Sequence, residues 1–355
     1  MEYVPDCATL VLEQYSPKSH PIIMKFFRTL WQFLVSIQLL PALEGGEETL
    51  VGGQALLEGV MMRSPHAWAI TCRKPSGELV SHSEPLERLS ETHKWMGLPI
   101  VRGVMTLGHA MTLGFRALRF SANVQLEELQ KDENGKVPEK KFEVNGWIAA
   151  VNIAISVGFF IFMYKYLPLL ATTELRKSHP ELGGQIMFNL VDGLIRLGLF
   201  LIFIWGTSLL ADIRRVYQYH GAEHKTVFAF ENGDPLSTGE VQKYPTFHPR
   251  CGTSFLMTVM ILSIFVYMLV PVHSFWARFA IRIVLLPVIT GVSYEIIRFA
   301  AKHRKSLFAI MTAPGLWLQR ITTRPPTDDQ AVCAITALDQ AMALEKQRGG
   351  ELVIA

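Results

Sequence analysis

Long apolar runs set the reading of this chain: Trp147 to Leu170, Met187 to Ala211, Phe255 to Val272 and Phe279 to Ala300. A helix needs roughly 20 mostly apolar residues to cross the hydrocarbon layer of a bilayer, and these runs meet that length with few charges inside. The first closes on Tyr164, Lys165 and Tyr166, two aromatic rings and a snorkelling ammonium suited to the headgroup level. Two further runs are broken by charge. Ile22 to Leu40 carries Lys25, Arg28 and Gln32, and Leu98 to Leu118 carries Arg102, His109 and Arg116, so both are expected as in-plane or re-entrant helices.

The period changes at Ala67. AWAITCR (Ala67 to Arg73) and LVSHS, which starts at Leu79, alternate around KPSGE, whose Pro and Gly supply a turn; this predicts a β-hairpin. Residues 122–146 are charged and contain ENGK and VPEKK, which reads as a surface linker. After Pro325, DDQAVCAITALDQAMALEK joins good helix formers to an acidic first turn and predicts an amphipathic helix. The expected fold class is mainly α, a polytopic membrane protein with about four transmembrane helices, in-plane or re-entrant helices and a small cytoplasmic β-containing unit. Its parts are an N-terminal extension with an amphipathic helix (1–50), the β-hairpin unit with its interfacial helix (51–121), the linker (122–146), a membrane domain (147–300) with a central loop at 212–253, and a cytoplasmic C-terminal segment (301–355).

Composition moves the same way: 50% of residues are hydrophobic and 18% charged, and the mean hydropathy is +0.25. A net charge of +3 is too small to suggest a nucleic-acid-binding face. Cys7, Cys72, Cys251 and Cys333 lie far apart, which fits thiols in a reducing compartment better than a disulfide framework. Met1 to His20 carries Glu2, Asp6, Glu13 and Pro17 and does not read as a cleaved secretory signal. Lysine and arginine gather between Asp212 and Thr253 (Arg214, Arg215, Lys225, Lys243, Arg250) and after the fourth run (Lys302, Arg304, Lys305), against Arg176, Lys177 and Arg278 elsewhere. Both termini and the central loop are therefore expected in the cytoplasm, with the lipid bilayer as partner.

The candidate chemistry sits in that central loop. His220, Glu223 and His224 form H-x-x-E-H; on a helix the two histidines share a face and approach one ion, with the glutamate beside it as candidate general base. Gly221 inside the motif argues against a regular helix. His248 and Cys251 follow in FHPRCGTSF, and imidazole plus thiolate suits zinc or another divalent transition metal. Three histidines and Cys251 would close a tetrahedron as a structural site, whereas fewer ligands leave room for catalysis, and the sequence leaves both open. Accessory candidates are Gln54, Glu58 and Arg63 in VGGQALLEGVMMRSP, delivered by a strand or turn, with Glu58 and Arg63 neutralising each other as the alternative. Glu295 in SYEIIRF is another, or else a partner for Arg298. Asp192 and Arg196, four apart in the second run, raise transport, but no other run offers ionisable partners.

Read in order, GGQALLEGVMMR, YHGAEHKT, HPRCGTSF, SYE and PGLWLQRITTRPP resemble the YqhQ-like bacterial membrane proteins, over most of the chain from Val51 to about Leu344. The resemblance implies a multi-pass protein of the bacterial inner membrane with a metal site at His220, Glu223, His224, His248 and Cys251, and supplies no substrate or reaction. The expected function is a metal-dependent membrane enzyme, a zinc hydrolase with Glu223 as base; the alternatives are a non-catalytic scaffold or assembly factor with a structural zinc site, and a transporter.

Overall fold

The computed structural model describes residues 51–86, 93–129, 146–249, 251–302 and 307–347. The helix expected at Ile22 to Leu40 lies outside the described residues, as does 130–145 of the linker; its start, up to Leu129, is helical instead. Strands β1 (Gly52–Leu56), β2 (Gly59–Arg63), β3 (Ala67–Arg73) and β4 (Leu79–Pro85) form an antiparallel meander in sequence order. The helices are α1 (Val101–Leu129), α2 (Gly146–Ile161), α3 (Leu167–Ser178), α4 (Gln185–Thr207), α5 (Ala211–Glu231), the short α6 (Thr238–Val241), α7 (Gly252–Leu269), α8 (Phe275–Val284), α9 (Leu286–Lys302), α10 (Leu307–Thr322) and α11 (Asp328–Gln347).

The expected hairpin is β3 and β4, turning through Gly77 at φ 89°. VGGQALLEGVMMR is itself a hairpin: Leu56 pairs with Gly59, so Leu57 and Glu58 make a two-residue turn, with Glu58 in the left-handed region at φ 51°. β3 is buried from Ala67 to Cys72 rather than alternately exposed, because both faces of the sheet are covered. Val51, Val60 and Met62 pack on Tyr219, Ala222 and Val227 of α5 and on Ala334, Ala337 and Leu338 of α11. Leu56, Met61, Trp68 and Ile70 meet Leu113, Ala117 and Val124 of α1. The C-terminal helix is thus a core element, pinned where Glu345 accepts hydrogen bonds from Ser64 Oγ and the His66 N–H, each 2.7 Å.

Among the described residues three helices are long and apolar enough to cross a membrane, Ala150–Ser178, Gln185–Thr207 and Gly252–Leu269, and α8 with α9, bent by 46°, makes a fourth if the pair counts as one. The first contains a π-helical segment, Phe162–Tyr166. Asp192 of α4 is fully buried and bonded both to Arg196 and, at 2.6 Å, to Arg282 of α8. Arg196 also donates to Ser263 of α7 at 2.7 Å, and Lys165 to the Tyr267 hydroxyl at 3.3 Å. Other runs do supply ionisable partners, then, and they tie α4, α7 and α8 together. Such buried pairs tolerate desolvation only when every partner is in place.

The central segment is not an outlying loop. α5 follows α4 after a break at Ser208 to Leu210 and carries the whole H-x-x-E-H motif as helix, while Cys251 caps α7, its sulfur accepting from the Thr253 N–H at 3.4 Å. α10, unanticipated because Pro314 interrupts it, packs against α7 where Gly315 faces Ser254; a Cβ there would lie 2.4 Å from Ser254 Cα.

Candidate metal centre

His220 and His224 are one turn apart in the middle of α5, and Cys251 is the N-cap of α7, so the triad joins the middle of one helix to the start of another. One imidazole nitrogen from each histidine and Cys251 Sγ all lie within 4.8 Å of one another. His220 Nε2 is 3.2 Å from Cys251 Sγ. Two ligands of a tetrahedral zinc, at bond lengths near 2.0 and 2.3 Å, stand about 3.3–3.7 Å apart, so the spacing is close to what one ion needs.

The opposite nitrogens fix the tautomers. His220 Nδ1 lies 2.8 Å from the Thr322 carbonyl and His224 Nδ1 lies 2.5 Å from the Thr246 carbonyl. A carbonyl only accepts, so both Nδ1 atoms donate, and in the neutral rings both Nε2 lone pairs face inward. His224 Nε2 is buried without a hydrogen-bond partner among the described residues. An orphaned buried acceptor costs free energy unless something fills its position. Burial holds His224 below its ordinary pKa, which favours the neutral ring that binds a metal. Zinc therefore fits the donors present. The site is closely packed, with His224 1%, Glu223 7% and Cys251 8% exposed.

Glu223 Oε2 lies 3.5 Å from His224 Nε2 and 4.0 Å from His220 Nε2. Burial raises its pKa, opposed by His220, His248, the Gly53 N–H and Arg63. Gly53 is required by this contact: a Cβ there would fall 2.7 Å from Glu223 Cγ and 2.6 Å from the Met61 carbonyl oxygen. Gly221 is likewise no flaw in the helix. A Cβ on it would meet the Arg324 carbonyl oxygen at 2.0 Å, and the bare glycine lets the segment after α10 lie on α5, with Arg324 N–H donating to Tyr217 at 2.9 Å. That contact is what delivers the Thr322 carbonyl to His220.

The remaining candidates divide. His248 is buried beside the triad, its ring centroid 5.7 Å from that of His224, but its Nε2 is 3.5 Å from Glu231 and it stands outside the converging set. Gln319 clamps its backbone, accepting from the His248 N–H at 2.7 Å and donating to its carbonyl at 2.8 Å. Glu58 does not neutralise Arg63; it holds Arg215 through two bonds of 2.5 Å and accepts from Tyr219 at 3.1 Å. Glu295 pairs with Arg102 of α1 at 2.7 Å rather than with Arg298. Gln54 turns toward α1, where a Cβ on Gly114 would meet its Oε1 at 2.5 Å. Sequence reasoning missed Gln319, Thr246 and Thr322 as positioning residues, although Gln319 and Thr322 stand in the PGLWLQRITTRPP block, whereas Gly53 in VGGQALLEGVMMRSP reads from sequence as a place of close backbone approach.

Residues 98–344 match the family described as "Protein of unknown function (DUF1385)". The chain is 31% identical over 297 residues to "Uncharacterized protein YqhQ" of Bacillus subtilis (strain 168), covering 83% of this chain and 92% of that protein. No solved structure matches. The matched region holds α5, the Cys251 cap and the α10 segment, and the chain belongs to the YqhQ-like DUF1385 family.

Proposed function

We propose that the chain is a multi-pass membrane protein of the bacterial inner membrane, with both termini in the cytoplasm, and a zinc-dependent hydrolase. His220, His224 and Cys251 would hold the ion. The observation that carries this reading is the convergence of two Nε2 lone pairs and one sulfur, each histidine braced from behind by a carbonyl. Zinc supplies Lewis acidity when bound. Glu223 has the place of a general base, since its Oε2 stands beside both ligand nitrogens while its carboxyl belongs to neither pair of bracing bonds. With three protein ligands, the ion keeps an open position, as hydrolytic zinc sites do.

A second reading, a structural zinc that joins α5 to α7 in a non-catalytic scaffold, is favoured by the low exposure of the ligands. The two separate on Glu223→Gln. Zinc-loaded protein is offered peptide, ester and phosphodiester bonds beside the variant. For an enzyme, zinc content and melting temperature stay the same while cleavage of the susceptible bond falls by about 100-fold or more. Equal rates in the two proteins, or no cleavage with zinc fully bound, support the scaffold instead.

A further inference from the structure

α1 starts against α9, half of the bent pair that makes the fourth candidate span, and is anchored there. Arg102 gives Glu295 of α9 two hydrogen bonds, one of 2.7 Å, and Gly103 lies so close to α9 that a Cβ on it would stand 2.7 Å from Tyr294 Cβ. From that anchor α1 runs out over the sheet and buries Leu113, Ala117 and Val124 against it. Another face stays open. Met111, Phe115 and Leu118 are 51%, 45% and 38% exposed, and at i, i+4 and i+7 they form one apolar stripe. Trp95 and Leu98, just ahead of the helix, are exposed as well. A stripe of this kind beside an anchor in the bundle suits the bilayer interface, where tryptophan collects.

Next round the helix from the stripe stand Arg116 and Arg119, both exposed and one turn apart. Neither has a hydrogen bond or an ion pair among the described residues. They edge an open groove of about 380 Å³ between α1 and the β3–β4 hairpin. Its walls are aromatic: the His82 ring stacks on Phe120 at 5.6 Å between centroids and meets Trp68 edge-on at 6.3 Å. The carboxylate in the groove, Glu84, is held by His82 Nε2 at 2.9 Å, so both arginines are left for an anion from outside. Asn123 also lines the groove, and its Oδ1 is buried with no hydrogen-bond partner. A buried amide oxygen is costly unless a donor reaches it. The groove therefore suits one ligand that carries both an anion and a hydroxyl or N–H donor.

We infer that α1 lies in the membrane surface and that the groove between it and β3–β4 binds an anionic phospholipid headgroup through Arg116 and Arg119. The inference rests on the membrane part of the reading above and is independent of the zinc. Guanidinium groups pair with phosphate oxygens through two parallel N–H bonds. A headgroup hydroxyl, such as those of phosphatidylglycerol, supplies the donor that Asn123 Oδ1 lacks. A lipid is the source because the apolar stripe beside the arginines sets α1 at headgroup depth, where an anionic leaflet attracts basic side chains.

The test titrates the full chain, in a neutral detergent, with short-chain phosphatidylglycerol and phosphatidylcholine, each below its micelle concentration, and with inorganic phosphate. Calorimetry gives the affinities of wild type, of Arg116→Gln with Arg119→Gln, and of Asn123→Leu, and thermal melting shows that each variant is folded. Expected is phosphatidylglycerol bound at least about 10-fold more tightly than phosphatidylcholine. The double arginine variant should lose about 10-fold or more of that affinity, and Asn123→Leu about 2- to 10-fold. Equal wild-type affinity for the two lipids overturns the inference, as does undiminished phosphatidylglycerol binding in the folded double variant. Undiminished binding in Asn123→Leu overturns the groove as the site. Inorganic phosphate bound as tightly as phosphatidylglycerol overturns the lipid as ligand and assigns a soluble phosphate compound. Alkaline carbonate extraction of membranes tests the spanning reading separately: release of the chain overturns that reading alone if the chain still binds phosphatidylglycerol through Arg116 and Arg119.

Discussion

Gly221 lies next to His220, and it has no room for a side chain: a Cβ would stand 2.0 Å from the Arg324 carbonyl oxygen. Backbone cannot yield as a flexible side chain does, so Gly221→Ala must push the 322–324 segment off α5. The Thr322 carbonyl then leaves His220 Nδ1, and the ring loses the bond that aims its Nε2. We expect Gly221→Ala to lower stability by about 1–3 kcal/mol, as overpacking does, and to weaken zinc binding about 10- to 100-fold, as loss of such bracing partners does. Thermal melting and a competitive zinc titration measure the two effects. Unchanged values for both would mean that the glycine is incidental. Elsewhere in helices, alanine in place of glycine is favourable, so the sign of the effect itself is diagnostic.

At the scale of elements, α11 is held to the sheet by apolar burial along Ala334, Ala337 and Leu338 and by polar anchors towards both of its ends, Asp329, whose carbonyl accepts from Arg73 of β3 at 3.0 Å, and Glu345. Burial pushes the Glu345 carboxyl up, but bonds from the His66 ring, Ser64 and the His66 N–H outweigh it and hold the group below its ordinary value of 4.5. A carboxylate with a lowered folded pKa contributes stability that is complete above its unfolded pKa and is lost as pH falls through the folded value. Glu345→Gln should thus cost about 1–3 kcal/mol at neutral pH, and the gap between the two proteins should close as pH drops below 4.5. A gap that persists at acid pH would show that packing, not charge, is what the substitution disturbs. The long apolar helices were legible because their composition is sufficient evidence of their kind. α10 was not, because Pro314 normally ends a helix and here only interrupts one. α5 reads as loop from sequence alone, because Arg214, Arg215, His220 and Lys225 make it polar along its length and the sheet and α11 that bury its other face are distant in sequence.

Across the whole molecule, the sheet with α1, α5 and α11 forms one packed unit, and α4, α7 and α10 another, and the triad lies where the middle of α5 meets the start of α7. The donor types of the triad and their spacing could be read from the chain. Their orientation could not, since it depends on the carbonyls of Thr246 and Thr322, and a carbonyl has no signature in sequence. His248 shows the limit of reading by type: the right donor, in the right segment, is directed to Glu231. Zinc K-edge absorption on the purified protein tests the centre most directly. The expected shell is one sulfur near 2.3 Å with two imidazole nitrogens near 2.0 Å, the sulfur vanishing in Cys251→Ser. A protein that binds no zinc, or a sulfur-free shell that survives His220→Ala with His224→Ala, would contradict it.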